Sequence, residues 1–277
     1  MVDLEALIDG VPIAVLDVET TGLDPTRGDR VCEIAILRSV GREPVDAYQH
    51  LIHPQRRMRP GALRVHGITD EMLAGQPTFP EVARDVLEVM EGAVLVGHNL
   101  AFDLGFIETE LARAGLSLGP YVGLDTLRLA RRLYTRRRYG LGALAASLGL
   151  AIDGRAHRAM ADVLLTRLVF HRILEDVQRD SPCTVRHLHA MQGGRIHQRR
   201  PTPLPVPPII REALEDACPL WLRYRAADGT ESERTVTPLR VEEGAGACVL
   251  VAVCHLRHER RMFRLDRIIA MRLAPEG

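Results

Sequence analysis

Five of the eight residues from Pro201 to Pro208 are proline. A proline ring fixes φ, removes a backbone donor and clashes with a helical turn, so this stretch is expected to run as an extended spacer. It divides the chain into two bodies, each of which must bury its own core. The apolar periodicity already fails at Gln178, so the linker is read as 178–208, between domains at 1–177 and 209–277. The linker carries five Arg (179, 186, 195, 199, 200) against one acid, Asp180, together with His187, His189 and His197.

Residues 1–177 alternate short apolar runs with helical patterns, the arrangement of an α/β domain. Val11 to Val18, Val31 to Val40 and Val45 to Ile52 read as strands. The last two are joined by Gly41-Arg42-Glu43-Pro44, short enough for an antiparallel hairpin. Ala93 to Val96 reads as a short buried strand. Apolar spacings of three and four predict helices over Phe79 to Met90, Leu100 to Ala114, Thr126 to Leu133, Leu141 to Leu148 and Ala159 to Val177. After the linker, Ile209 to Ala217 reads as a helix. Trp221 to Tyr224, Arg234 to Val236, Cys248 to His255 and Met262 to Leu265 read as strands, separated by turns at Asp228-Gly229 and Gly244-Ala-Gly246.

Charge does not name a partner, because 36 basic residues meet 36 acidic ones. The balance conceals a mild asymmetry: residues 1–177 hold 20 Arg and 24 acids, and the linker is basic. All 36 basic residues are Arg, a usage too uniform to single out any one as a phosphate ligand. Five scattered Cys contain no C-x-x-C pair, which argues against a zinc ribbon or a disulfide scaffold. No apolar run reaches the ~20 residues of a membrane span. The start, Met-Val-Asp-Leu-Glu, lacks the basic and apolar regions of a secretory signal, so a cytoplasmic location is expected.

Chemistry enters at Leu16-Asp17-Val18-Glu19-Thr20-Thr21-Gly22-Leu23-Asp24. On a strand, residues i and i+2 share a face, so Asp17 and Glu19 project together and repel unless a cation neutralises them. The plainer alternative is a polar strand end entering a turn. In Val96-Gly97-His98-Asn99-Leu100-Ala101-Phe102-Asp103, a strand ends, Asn99 can cap the next helix and Asp103 falls in its first turn, where an acid also suits the helix dipole. In His157-Arg-Ala-Met-Ala-Asp162 the two titratable residues would lie about 140° apart on a helix. His157 is therefore placed in a loop beginning at Asp153-Gly154, with Asp162 on the helix beneath it.

Taken in order, these segments resemble the three motifs of the DEDDh 3′–5′ exonucleases, the superfamily that includes the proofreading epsilon subunit of bacterial DNA polymerase III. The resemblance covers about Val11 to Val177 and includes Val65-His66-Gly67-Ile68-Thr69 and Leu124-Asp125-Thr126-Leu127. It implies an RNase H-like mixed sheet flanked by helices, with Asp17, Glu19, Asp103 and Asp162 as metal-binding acids and His157 as general base. Two divalent cations, Mg²⁺ or Mn²⁺, are implied with it. Asp17 would bridge both, Glu19 and Asp162 would serve the ion holding the attacking water, and Asp103 would help hold the other. Thr20, Gly22 and Leu23 match positions lining the family's pocket for the terminal nucleotide, with His66, Asn99 and Phe102 completing it. The run Arg136-Arg137-Arg138 is a solvated helix end or a phosphate contact.

The segment from Ile209 to about Leu273 resembles a WYL domain, a small β-rich Sm-like barrel of bacterial regulators. The resemblance is carried by Leu220-Trp-Leu-Arg-Tyr224, Ser232 to Leu239, Cys248 to His255 and Arg261-Met-Phe-Arg-Leu-Asp-Arg-Ile268. Cys248-Val249-Leu250 stands where the naming Trp-Tyr-Leu would be, which removes two aromatic surfaces. The resemblance suggests a nucleic-acid or nucleotide ligand, with Arg234, His255, Arg257, Arg261 and Arg264 as candidate phosphate contacts. The expectation is a metal-dependent 3′–5′ exonuclease acting on single-stranded nucleic acid, DNA in preference to RNA, with a C-terminal binding or sensing module. The alternatives are an RNA or short-oligonucleotide exonuclease, and a 3′-end-binding regulator without turnover. No polymerase or other protein partner can be named from the residues.

Overall fold

Strict alternation in the run from Pro12 builds the centre of the first sheet. Ile13 and Val15 are buried on one face, Ala14, Leu16 and Val18 on the other. The computed structural model describes residues 2–151, 158–196, 206–216, 218–226, 228–244, 247–257 and 259–274. They form two compact units that divide between Ile196 and Val206. The Pro-rich spacer up to Pro205, the loop from Asp153 and His157 lie outside the described residues, as does part of the Gly244 turn.

In the first unit β1 (Pro12–Thr20), β2 (Val31–Val40) and β3 (Glu43–Leu51) run antiparallel, and β4 (Val94–Gly97) and β5 (Val122–Asp125) add parallel strands beyond β1. The order is β3-β2-β1-β4-β5, the mixed sheet of an RNase H-like fold. The β2–β3 hairpin turns at Gly41, with φ of +57°, and Pro44 sits on the edge strand where its missing donor costs nothing.

Helices α1 (Pro60–His66), α2 (Asp70–Leu73), α3 (Phe79–Met90) and α4 (Leu100–Arg113) precede β5. After it come α5 (Thr126–Leu133), α6 (Leu141–Ser147), α7 (Ala159–Val177) and α8 (Val185–Met191). One face of the sheet packs on α3 and α4. The other packs on α5 to α8, with Leu129, Leu144, Val163, Phe170 and Leu188 among the buried contacts.

The expected linker is shorter than the sequence implies at its N-terminal side. Thr184 accepts a hydrogen bond from the His187 N–H and starts α8, whose Val185 and Leu188 are fully buried in the first core. Gln192 then binds β5 as another strand would: its side-chain oxygen accepts from the Asp125 N–H at 2.8 Å and its amide donates to the Gly123 carbonyl at 2.8 Å. Ile196 packs over Gly123, where a β-carbon would crowd it. Periodicity missed this segment because α8 is only seven residues long and its exposed positions include Arg186 and His187.

The second unit opens with α9 (Pro208–Glu215), Pro208 occupying the first helical turn that tolerates it. β6 (Leu220–Arg225), β7 (Glu231–Gly244), β8 (Ala247–Cys254), β9 (Glu259–Arg264) and β10 (Ile268–Leu273) follow. They make an antiparallel sheet in the order β10-β6-β7-β8-β9, and no β9–β10 ladder is present among the described residues. Leu220, Leu222, Val236, Leu250 and Phe263 fill its core with Ile210 of α9. β7 extends far beyond the expected Arg234 to Val236, and β10 was not expected at all.

A chain ending at Ile196 is expected to keep the thermal transition of the first unit, whereas one ending at Val177 exposes the pockets of Val185, Leu188 and Ile196. At about 1.5–3 kcal/mol for each buried aliphatic side chain, the shorter chain should lose several kcal/mol. Equal denaturant midpoints for the two truncations would contradict this account of residues 178–196.

Candidate active site

The parallel pairing of β1 with β4 stops at Val15 opposite Val96. Beyond that point β1 continues alone on this side, opening a crevice at the carboxyl ends of the two strands, where ligands of open α/β sheets bind. Asp103, buried in the first turn of α4, accepts the Val18 N–H at 3.1 Å. Asp17 and Glu19 lie on the opposite face from Val18, toward α7, whose first turn carries Asp162. Carboxylate oxygens of Asp17, Glu19 and Asp162 all lie within 4.8 Å of one another.

The electrostatics follow from that crowding. Burial, then the charges of Asp103, Asp162 and Glu19, raise Asp17 well above the usual carboxylate range. Burial and the charges of Asp162 and Glu33 push Glu19 up to about 8, against an opposing pull from Arg158. Burial also raises Asp103, although the Val18 N–H favours its ionised form. A cluster of carboxylate oxygens crowded in this way fits a hard divalent cation such as Mg²⁺ or Mn²⁺. Asp17, Glu19 and Asp162 would hold it, with Asp103 beside them.

Two further buried acids brace the site and were not expected from the sequence. Glu33 faces Glu19 across the β1–β2 ladder. Burial alone would raise it, but hydrogen bonds from Arg158, the Ala159 N–H and Gln49 hold it below the ordinary carboxylate value. Glu110 on α4 takes both Nε and Nη2 of Arg30 at 2.6 and 2.9 Å, tying the chain entering β2 to the helix that carries Asp103. Glu33 sits in an apolar strand and Glu110 on a helix; only the burial of such charged positions marks them, and burial is not visible in one sequence.

The turn after Glu19 is tightly specified. Thr20 donates its hydroxyl to the Gly22 carbonyl at 2.6 Å, and Thr21 exchanges hydrogen bonds with Arg30. Gly22 lies against the buried Asp29 carboxylate, with which any β-carbon would collide. Leu23 at the tip is 83% exposed, an apolar side chain presented to solvent. His66 is buried, and its Nδ1 accepts from the Ile68 N–H at 3.0 Å. The proton is therefore on Nε2, which faces the Thr20 carbonyl at 3.3 Å, so the ring braces the turn. Phe102 is half-buried with its ring 5.0 Å from Phe106.

Asn99 departs from expectation. Its backbone is left-handed, with φ of +71°, and its side chain makes no capping bond. Asn99 is held instead through its N–H, donated to Asp125 Oδ1 at 3.0 Å, and the same oxygen caps α5 by accepting from Leu127. In the second unit Arg261 and Arg264 are paired with Glu259 and Asp266, His255 shares a 2.8 Å hydrogen bond with Thr237, and Arg257 is exposed. Arg234 donates to the neighbouring Glu233 carbonyl. Val249 and Leu250, where the naming aromatic and leucine would stand, are buried in β8.

A family model described as "Exonuclease" (RNase_T) matches residues 14–170, and one for the WYL domain matches residues 205–273. Among curated proteins, the chain is 33% identical over 178 residues to the 3′-5′ exonuclease DinG of Bacillus subtilis, covering 64% of this chain and 19% of that protein. It is 39% identical over 157 residues to the DNA polymerase III subunit epsilon of Haemophilus influenzae, covering 53% of this chain and 61% of that one. The chain thus spans less than two thirds of either relative. Among solved structures, Exonuclease X in complex with 5′ overhanging duplex DNA is 26% identical, with a TM-score of 0.52 over 65% of this chain and 99% of that one. An E. coli ExoI–ssDNA complex shares the fold at 18% identity, with a TM-score of 0.56 over 88% of this chain and 55% of that one.

Because Glu19 and Asp17 bind protons more tightly folded than unfolded, their contribution to stability is present at low pH and lost as pH rises. The window for Glu19 runs from its ordinary value near 4.5 to about 8. In chelator, the melting temperature should therefore fall between about pH 5 and about pH 9. Excess Mn²⁺ should flatten the fall, and so should Asp17→Asn. A melting temperature rising with pH over this range in chelator would contradict the charge crowding.

Proposed function

Since the chain belongs to the exonuclease family, as the match over residues 14–170 establishes, we propose that it hydrolyses phosphodiester bonds from the 3′ end of single-stranded DNA with the help of two divalent cations. The observation that carries this reading is the meeting of Asp17, Glu19 and Asp162 within 4.8 Å, with Asp103 adjoining. Bound there, Mg²⁺ or Mn²⁺ ions would acidify the attacking water and neutralise charge on the scissile phosphate and the departing 3′ oxygen.

The chain's own groups do the rest. Asp17 lies among the other three acids and is the carboxylate placed to serve two ions. His157, two residues ahead of α7 in the sequence, takes the proton of the attacking water, a task for which an imidazole is suited. The turn Thr20 to Leu23 offers backbone groups to the terminal sugar and the exposed Leu23 side chain to its base. Asn99 contributes from the N-cap of α4 and Phe102 from within it, and His66 acts on this pocket by fixing the Thr20 carbonyl.

DNA is favoured over RNA because DinG and epsilon are named for DNA-directed or exonuclease roles and Exonuclease X was captured on DNA. The WYL unit is proposed to bind or sense nucleic acid through Arg234, His255, Arg257, Arg261 and Arg264 of its antiparallel-sheet domain. The local ion pairs of Arg261 and Arg264 would have to open for this. Among the described residues no helix is long and apolar enough to cross a membrane; a cytoplasmic setting belongs to the same proposal. A 3′-end-binding protein without turnover is the rival reading.

Digestion of 5′-labelled single-stranded DNA and its RNA counterpart tests these points together. A ladder shortening from the 3′ end with Mg²⁺ or Mn²⁺, lost in EDTA and in Asp162→Ala, is expected, with DNA degraded faster. His157→Ala should lose about 10²-fold or more in turnover while keeping metal-dependent binding of a 3′ end. Tight binding of wild type with no cleavage under either metal would instead favour the binding protein.

A further inference from the structure

We propose that Glu33 is a positioning residue of the nuclease site, a carboxylate on β2 that fixes the start of α7 so that Asp162 meets Asp17 and Glu19. The proposal rests on the reading of that site as a metal-dependent phosphodiesterase.

α7 begins without a cap of its own, since Arg158 at its N-cap makes no side-chain capping bond. The first N–H groups of a helix have no partner within it and must find one elsewhere. Ala159 donates its N–H to Glu33 Oε2 at 3.1 Å, so the cap is supplied by the sheet. The same carboxylate takes the Arg158 guanidinium with both oxygens, Nε to Oε2 at 3.0 Å and Nη2 to Oε1 at 2.8 Å. Gln49 on β3 donates to Oε1 at 3.0 Å and holds the group from behind. Glu33 is fully buried and satisfied by four hydrogen bonds from three residues.

A serine or aspartate cap would satisfy the helix end equally well but would leave it free to slide along the sheet. A carboxylate rooted on β2 opposite Glu19 fixes the helix in the coordinate frame of β1. Asp162, whose N–H bonds back to the Arg158 carbonyl at 3.1 Å, lies one turn further on. Rise along three residues is only about 4.5 Å, so little slack intervenes between clamp and ligand. Stability alone does not explain such a group, because well-packed apolar residues often replace a buried ion pair without loss. Retaining it here delivers geometry, and it holds the Arg158 cation by its Nε and Nη2 at a place where its charge still acts on Glu19.

The full-length protein decides the matter with Glu33→Gln and with the double variant Glu33→Met, Arg158→Leu. Three readouts are needed: Mn²⁺ binding by calorimetry, kcat and KM on a 5′-labelled oligonucleotide, and the melting temperature in chelator. Outer partners of metal ligands commonly govern affinity by about 10–100-fold, and Glu33→Gln should weaken Mn²⁺ binding by at least about tenfold. Its kcat should fall while KM for DNA stays close to wild type. The double variant should regain the melting temperature but neither Mn²⁺ affinity nor kcat, and if it does not fold, Glu33→Gln alone decides at a temperature where its circular dichroism matches wild type. Unchanged Mn²⁺ affinity and kcat in Glu33→Gln, or their recovery in the double variant, would overturn the proposal. A wild-type protein that neither binds Mn²⁺ nor cleaves would bring down the nuclease reading itself, a result distinct from failure of the variants to differ.

Discussion

Mutual repulsion among Asp17, Glu19, Asp103 and Asp162 is the constraint around which the first unit is arranged. At an effective dielectric of about 20, two unit charges about 5 Å apart repel by roughly 3 kcal/mol, and here several such pairs share one crevice. Elsewhere in the unit, buried acids are answered by arginine: Glu110 by Arg30, Asp29 by Arg56 and Glu33 by Arg158. Among the described residues no arginine closes on Asp17, which burial and the charges of Asp103, Asp162, Glu19 and Glu33 raise well above the usual carboxylate range. The contrast between these arginine-bound acids and the crowded carboxylates of Asp17, Glu19 and Asp162 marks the crevice off from the rest of the core.

Holding like charges together requires that each be attached to something stiff. Asp17 and Glu19 are on the central strand, hydrogen-bonded on the β2 side along its whole length. Asp103 is anchored to β1 through the Val18 N–H, and the turn into α4 is anchored to β5 through Asp125 and the Asn99 N–H. α7 is long, with 19 residues, and its inner face is packed by Val163, Val169, Phe170 and Ile173. The site is thus carried on sheet and helix ends whose positions the two cores determine, with few degrees of freedom left to the side chains themselves.

Much of this was legible in the residues. The apolar run read as a strand over Val11 to Val18 is β1, Pro12–Thr20, with its two acids on one face, and the three-and-four spacing of α3, α4, α5 and α7 placed them almost to the residue. What escaped did so for several physical reasons. β5 is four residues long, too short for a period to register, and α1, α2 and α8 are at most seven residues each. β7, with 14 residues, was read as a fragment because its alternation is broken by Pro238, beside which its register with β8 shifts. Glu33, Glu110 and Gln192 act through burial and through partners as far as 126, 80 and 69 residues away, information that no local window contains. Asn99 was placed correctly but for the wrong reason: a residue type that favours caps was used for its tolerance of left-handed backbone.

The contact of Gln192 with β5 has a consequence for how the protein behaves in company. β5 ends the sheet, and an edge strand offers bare donors and acceptors to any other extended chain. Gln192 fills two of those positions, the Gly123 carbonyl and the Asp125 N–H, with one side-chain amide that has the spacing of a peptide group but cannot continue into a further strand. The residue therefore works as a chain terminator for sheet growth. At these two positions it closes the β5 edge, so that strand addition to the first unit is left to the largely exposed edge at β3.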